Sequence, residues 1–257
     1  MQLTIVAYSL CSYVQILNHQ PNPMKNYILL FAVAAIGIMP LAAQAQKNTN
    51  AGNNIVAANK TIYAKAVEFG DFNTAIVAAH TILANSPNDY HYMDSLVSLY
   101  NAIGNLVAAV NVGNAILEAA PQNTTVRELV ANSLIGLGMN GEAIVHYNDL
   151  YSRTSNIIYL YNIATTEFGM KNYTDCGLTV ERILKAEGNM TKVAIDGADG
   201  KTQDIPVKAA AYNIKGAIAV EVNNTAIAKE SFEEALKIAP EFSLAKSNLE
   251  VLKKAAK

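Results

Sequence analysis

A spacing of 34 residues recurs along the chain and constrains its fold more than any other feature. Gly70, Gly104 and Gly138 are separated by this spacing, and an alanine follows each of them five residues later. Pro87 and Pro121 keep the same step, each seventeen residues after its glycine. A fixed period of this length predicts repeated supersecondary units, each of which buries its apolar face against the next unit.

The stretch before the C-terminus carries the same internal pattern in its clearest form. Gly216, Ala228, Phe232, Ala235 and Pro240 follow one another at spacings of 12, 4, 3 and 5 residues. Small residues let two helices approach closely, an aromatic ring fills the space between neighbouring hairpins, and proline stops a helix. With a period of 34, this order of small, aromatic, small and proline residues resembles the tetratricopeptide repeat (TPR).

The resemblance implies an all-α fold, a right-handed superhelix of about five helix hairpins with a C-terminal capping helix, over residues 55–257. Repeats would begin at Val56, Tyr90, Thr124, Ile157 and Ala209. Several positions depart from the family pattern: Tyr63 and Val97 replace a small residue, Ala79 and Gly113 replace the aromatic, Ser155 and Gly188 replace the proline, Lys171 replaces the turn glycine and Cys176 replaces the alanine. The fourth repeat departs most, although it still has the pattern of two amphipathic helices.

Eighteen extra residues separate the fourth and fifth repeats and place an insertion at about residues 189–208. Val193, Ile195, Ile205 and Val207 flank a turn-rich centre, which predicts a β-hairpin or an ordered loop. Pro206 would put its strand at an edge. Asp196, Asp199 and Asp204 raise calcium as an alternative, but they lack the ligand spacing of an EF-hand loop, so a plain turn is favoured.

The last helix of the pattern is amphipathic. Ala245, Leu249, Leu252 and Ala256 repeat at i, i+4, i+7 and i+11, which places them on one face. Lysines and a glutamate lie away from that face. A helix with one apolar and one polar face is what a solenoid needs to close its final hairpin against water.

Residues 1–45 are assigned to a leader, and the part from Met24 onward has the form of a signal peptide. We therefore expect Met24 to be the true start. Lys25 precedes an apolar run over residues 28–41, and Ala43 to Ala45 form an A-x-A cleavage site. A transmembrane anchor and an uncleaved long form are the alternatives. Residues 46–54 are polar and predict a flexible tether. After cleavage no membrane segment would remain, and we expect a periplasmic or secreted protein of a Gram-negative-type cell envelope.

Composition and motifs argue against several function classes. The net charge of −2, without a basic cluster, gives no indication of nucleic-acid binding. His80, His91 and His146 form no metal-binding motif, and Cys176, the only cysteine of the mature chain, is expected to be a buried small residue. The stretch "GLGMNGEA" lacks the lysine of a phosphate loop. We therefore expect no cofactor, no metal and no catalytic residue.

The resemblance also implies where a partner would bind. In TPR proteins the first helices of the hairpins line a concave face, and polar side chains on that face are the candidate contacts. In this chain they are Lys60, His91, Asp94, Ser98, Asn101, Glu128, Asn132, Tyr161, Thr165 and Asn213. Only Lys60 is basic, which argues against a clamp for peptide C-termini, whereas the asparagines could hold an extended backbone.

These observations favour an exported, non-catalytic scaffold that binds a protein or peptide on its concave face. One alternative is a structural subunit of an envelope complex that uses its convex face or the inserted hairpin. An envelope enzyme is a remote alternative, because no motif supports it.

Overall fold

In the computed structural model, residues 41–187, 191–197 and 200–255 are described. They form eleven α-helices and one pair of β-strands. The helices are α1 (Leu41–Glu68), α2 (Phe72–Asn85), α3 (Tyr90–Ala102), α4 (Leu106–Ala119), α5 (Thr124–Gly136), α6 (Asn140–Thr154), α7 (Ile157–Gly169), α8 (Tyr173–Lys185), α9 (Val207–Glu221), α10 (Thr225–Ile238) and α11 (Ser243–Ala255). The strands β1 (Lys192–Asp196) and β2 (Thr202–Pro206) lie between α8 and α9. The structure therefore confirms five helix hairpins followed by one helix.

The described residues divide into two compact units. The first contains α1 to α4 and the second contains α5 to α11 with the β-hairpin. Within each unit, consecutive helices pack against one another, and α9 also contacts α7 and both strands. This stacking of neighbours along the sequence is the packing that the 34-residue period predicts.

The turn inside each hairpin uses the left-handed backbone conformation at one equivalent position. Gly70, Gly104 and Gly138 have φ values of 71°, 73° and 74°. Lys171 and Asn223 occupy the same position in the last two hairpins and both have φ of 59°. The loss of glycine at Lys171 therefore leaves the turn unchanged, although a lysine pays a steric cost there that glycine does not.

Asparagine or aspartate side chains cap the first turn of five of the described helices. In α4, Asn105 accepts a hydrogen bond from the backbone N–H of Ala108, 3.2 Å away. Asp71, Asn123, Asn156 and Asn224 each accept a hydrogen bond from a backbone N–H of the first turn of α2, α5, α7 and α10 respectively. Each bond satisfies an amide that the helix itself leaves unpaired. The caps explain why these helices begin where they do.

The small residue of each second helix is fully buried, which confirms the repeat register. Ala75, Ala109, Ala143, Cys176 and Ala228 all have an exposed fraction of 0%. The Cys176 thiol donates to the carbonyl oxygen of Ala164 in α7, 3.1 Å away, so the two helices of the fourth hairpin nearly touch. Cysteine serves there as a small apolar residue, as the sequence predicts.

The fifth hairpin has the closest helix contact. Phe232 of α10 is 1% exposed and packs with Ala219, Ala228 and Leu249. Its ring lies so near Gly216 of α9 that a β-carbon on Gly216 would be 2.4 Å from the ring. The glycine is therefore required by the approach of the ring and not by a special backbone angle.

The N-terminal helix extends further than the sequence predicts. α1 begins at Leu41 and so includes residues 46–54, for which composition predicts a flexible tether. A helix nucleated by a packed segment extends at little cost, and α1 packs against α2. A β-carbon on Gly52 would lie 3.7 Å from the side-chain oxygen of Asn85, so this part of α1 has a neighbour. Cleavage after Ala45 stays a prediction, and residues 1–40 lie outside the described residues.

The insertion is an antiparallel β-hairpin, as predicted. Lys192 pairs with Pro206 at its open end and Asp196 pairs with Thr202 near the turn. Ile195 and Ile205 point into a cluster with Phe242 and Ala245 of the C-terminal segment and with Ala209 of α9. Side chains of the other face, such as Ala194 and Asp204, are exposed. The hairpin therefore covers the ends of α9 and α11 with one apolar face.

Gln203 joins the hairpin to the last helix by hydrogen bonds. Its side-chain oxygen accepts from both the backbone N–H and the hydroxyl of Ser243, each at 2.9 Å, and its side-chain nitrogen donates to the carbonyl of Glu241. The N–H of Ser243 belongs to the first turn of α11, where a helix cannot satisfy its own donors. In α11 itself, Ala245 and Leu249 are buried and Leu252 packs beside them, as the predicted stripe requires; Ala256 lies outside the described residues.

Candidate functional site

A groove lies between the two first helices of the first unit. Its volume is about 360 Å³. It is lined by Tyr63, Val67, His91, Asp94, Ser95, Ser98, Leu99 and Ala102. Tyr63, Val67, Leu99 and Ala102 make an apolar part, and the other four residues make a polar part. This combination suits a segment that presents one apolar side chain next to polar groups.

Aromatic packing shapes one end of the groove. Tyr63 of α1 meets Tyr92 of α3 edge to face, with ring centroids 4.9 Å apart. The Lys60 ammonium lies 5.3 Å from the centroid of the Tyr92 ring and 3.3 Å from the Asp89 carboxylate. The sequence predicts Lys60 as a partner contact. In the structure it pairs with Asp89 of its own unit, and its side chain stays about half exposed.

The predicted contacts of α3 fall into two groups. His91, Asp94 and Ser98 line the groove, as their helical spacing of three and four residues requires. Asn101 does not line it, and its side-chain nitrogen donates to the carbonyl of Val97. Ser98 likewise donates its hydroxyl proton to the carbonyl of Asp94, so its hydroxyl oxygen can only accept from a partner.

In the second unit, two of the predicted contacts are held by tyrosine hydroxyls. Tyr159 of α7 donates to Glu128 Oε2 at 2.8 Å, and Tyr147 of α6 donates to Asn132 Oδ1 at 2.6 Å. The two tyrosine rings are stacked with centroids 6.4 Å apart. Burial, helped by the Glu128 carboxylate, raises the pKa of Tyr159 to about 12 and raises that of Tyr147 as well. Both hydroxyls therefore keep their protons and act as donors at neutral pH.

Sequence reasoning did not assign Tyr147 to the site. Tyr147 lies 23 residues after Thr124, the start of its repeat, and Phe232 lies at the same distance from the start of the fifth repeat. An aromatic residue at this position predicts packing alone. The ring does pack, with an exposed fraction of 3%, but the hydroxyl reaches the first helix of its own hairpin. The signal that could have indicated this is the choice of Tyr over Phe, since a buried hydroxyl needs a partner.

The remaining predicted contacts make packing contacts or hydrogen bonds inside the second unit, and their role in partner binding stays a prediction. Tyr161 packs against the cluster formed by the β-hairpin, and burial raises its pKa to about 12. Asn213 is 8% exposed, and its side-chain oxygen accepts from the Asn248 amide at 3.0 Å. Thr165 donates to the carbonyl of Asn162. The hairpin packs on Tyr161 and α11 bonds to Asn213, and the repeat pattern alone cannot predict where an insertion docks.

Several reactive side chains outside the groove are paired or buried. Within residues 41–187, 191–197 and 200–255, no three His, Cys, Asp or Glu side chains lie close enough together to hold a metal ion. His80 Nε2 is bonded to the Tyr100 hydroxyl at 2.9 Å, and Asp196 accepts from Thr202. Burial raises the pKa of the Cys176 thiol to about 12, which makes it a poor nucleophile.

Of the helices in the described part of the chain, none has the length and apolar character needed to cross a bilayer.

Comparison with solved structures identifies the fold. The crystal structure of MamA superposes with a TM-score of 0.58 at 15% identity, over 74% of this chain and 94% of MamA. MamA residues 41 to the end from Desulfovibrio magneticus RS-1 give a TM-score of 0.55 at 11% identity, over 72% and 94% of the two chains. YrrB, described as a TPR protein with an unusual peptide-binding site, gives 0.55 at 12% identity, over 77% and 97%.

No protein-family model matches the chain, and no curated protein shows significant sequence similarity to it. At such low identities the structural likeness establishes the fold. The chain therefore has the all-α solenoid fold of tetratricopeptide-repeat proteins, with a β-hairpin inserted before its fifth hairpin.

Proposed function

We propose that the protein is an exported, non-catalytic scaffold that binds a protein or peptide through the face formed by its first helices. The observation that carries the proposal is the groove between α1 and α3, which joins an apolar part to a polar part. Its volume of about 360 Å³ suits one or two side chains of an extended segment and is small for a folded element. The fold likeness to YrrB, which has a peptide-binding site, supports the same conclusion.

The prediction that Asp94 and Asn101 share one binding surface with Glu128, Asn132 and Tyr161 stays a prediction, because these residues belong to different units. Within the second unit, Glu128 and Asn132 remain the best candidates, while Tyr161 contributes packing. Partner binding can therefore be tested separately at the groove of the first unit and at Glu128 and Asn132 of the second unit.

A groove-blocking variant tests this function. Ser98→Phe puts a ring into the groove, whereas Val77→Phe adds the same ring on α2, at a side chain that is 65% exposed. We expect partners recovered from an envelope extract of the native host by the wild type and by Val77→Phe to be lost with Ser98→Phe. Equal recovery by all three proteins, with unchanged circular dichroism, would move the binding site away from the groove.

Export is the second part of the proposal. The A-x-A site at residues 43–45 after the apolar run supports it. Protein recovered from its native host is expected to begin near Gln46 and to fractionate with the periplasm or the medium. N-terminal sequencing that finds Met24 or Met1 in the mature protein would refute it.

A structural subunit is the alternative, and one observation favours it. Val145 of α6 and Leu178 of α8 occupy equivalent positions on the second helices and are 68% and 63% exposed. Side chains of this kind on an outward face can join a permanent interface. A partner that resists salt and is lost with Val145→Asp, but not with Ser98→Phe, would favour the subunit over the scaffold.

A further inference from the structure

Glu128 and Asn132 lie one turn apart on α5, and each accepts a hydrogen bond from a tyrosine hydroxyl. Tyr159 donates to one carboxylate oxygen of Glu128, and Tyr147 donates to the amide oxygen of Asn132. The tyrosines are 7% and 3% exposed, whereas Asn132 is exposed and Glu128 is half-buried. Buried donors thus fix two side chains that would otherwise rotate freely at a surface.

The direction of the Tyr147 bond sets the orientation of the Asn132 amide. An amide nitrogen carries two donors and cannot accept, so a donating hydroxyl must face the amide oxygen. The Asn132 nitrogen is then directed away from Tyr147, and the second carboxylate oxygen of Glu128 is left on the opposite side from Tyr159. Within the described part of the chain, neither of these two atoms has a hydrogen-bond partner.

The two outward atoms form a matched donor and acceptor. Residues four apart on a helix have Cβ atoms about 6 Å apart, so the amide nitrogen and the carboxylate oxygen can reach neighbouring groups of one extended backbone. A peptide supplies a carbonyl for Asn132 and an N–H for Glu128. The negative charge of Glu128 also favours a basic side chain next to that backbone.

We infer that Tyr147 and Tyr159 are positioning residues that hold Asn132 and Glu128 in the orientation needed to bind an extended peptide with a basic side chain. The inference rests on the proposed function and adds two residues and a ligand chemistry to it. Replacement of either tyrosine by phenylalanine keeps the ring and its packing but releases the polar side chain above it.

The test uses the full chain labelled with ¹⁵N and a blocked tripeptide, N-acetyl-Ala-Arg-Ala-amide, with N-acetyl-Ala-Gln-Ala-amide as its neutral analogue. The readout is the side-chain amide signal of Asn132 during titration. We expect saturable shifts of that signal, and binding of the neutral peptide about fivefold weaker or more. Tyr147→Phe and Tyr159→Phe should each weaken the arginine peptide about fivefold.

Tyr173→Phe is the matched control, because its hydroxyl also donates to a carboxylate, Glu221 at 3.0 Å, but away from α5. It should leave peptide binding unchanged. In the ligand-free protein, ¹⁵N relaxation should show the Asn132 side chain to be rigid in the wild type and mobile in Tyr147→Phe. That measurement detects positioning directly, whereas a purely structural tyrosine would change only the melting temperature.

The outcomes separate the inference from the proposed function. If the peptide does not shift the Asn132 signal, or if neither Tyr→Phe change weakens binding, the inference is overturned. The proposed scaffold function would still stand if Ser98→Phe abolished the recovery of partners. If the Asn132 result holds but Ser98→Phe changes nothing, the second unit binds peptide and the groove does not.

Discussion

Replacement of Gly216 by alanine should separate helix propensity from helix packing in one measurement. In a helix interior, alanine is more favourable than glycine by about 1 kcal/mol. At Gly216, however, the new β-carbon would lie 2.4, 2.6 and 2.9 Å from three ring carbons of Phe232, where ordinary contacts are about 3.5–4.0 Å. The ring is 1% exposed and packs with Ala219, Ala228 and Leu249, so overpacking costs about 1–3 kcal/mol.

The matched control is Gly177→Ala in α8, because no described atom outside the adjoining backbone lies within 4 Å of the position of its β-carbon. We expect this variant to be more stable than the wild type by about 0.5–1 kcal/mol. Urea unfolding followed by circular dichroism should then place Gly216→Ala about 1–3 kcal/mol below Gly177→Ala. Identical midpoints for the two variants would show that α9 and α10 do not approach as closely as described.

Three further changes probe single positions of the fourth hairpin. Lys171→Gly should relieve the left-handed turn and raise the melting temperature by about 2–4 °C, as scanning calorimetry can measure; a decrease would contradict the strained turn. Burial raises the pKa of Glu167, so the folded protein keeps this proton to a higher pH than the unfolded chain, and stability falls as pH rises through the folded pKa. Glu167→Gln should therefore stabilise the protein more at pH 7 than at pH 4 in urea unfolding, and an equal gain at both would refute this; Thr179, which hydrogen-bonds to the Glu167 carboxylate, can still donate to the oxygen of the Gln side chain. Cys176, buried and with its pKa raised to about 12, should react with iodoacetamide only on unfolding, so rapid labelling of Cys176 itself in native protein at pH 8, located by peptide mapping, would disprove its burial.

The repeat pattern predicted most of the fold because it depends on local chemistry. The glycines at 70, 104 and 138 mark turns that only a few residue types tolerate, and the alanines mark helix contacts that only small residues fit. At Lys171 and Cys176 the family residues are missing, yet the same backbone angle and the same burial persist. Both residues lie where α7 packs against α8 within the fourth hairpin, and a single-residue pattern does not contain that information.

The candidate site was predicted less completely, because it depends on contacts between distant residues. Helical spacing correctly grouped His91, Asp94 and Ser98 beside one groove. It could not predict that the hairpin would cover Tyr161, or that Asn248 of the last helix would bond to Asn213. The residues involved are separated by more than 30 positions, beyond the reach of any periodicity within one repeat.

The bonds between Gln203 and the start of α11 also have a consequence for hydrogen exchange. In a solenoid whose hairpins contact only their neighbours, the terminal helix is expected to open first, because it is supported on one side. In this protein, Gln203 and the buried Ile205 hold α11 from across 40 residues of sequence. The amides of α11 should consequently exchange at rates close to those of α9, and fraying at this end of the chain should require the β-hairpin to detach with it.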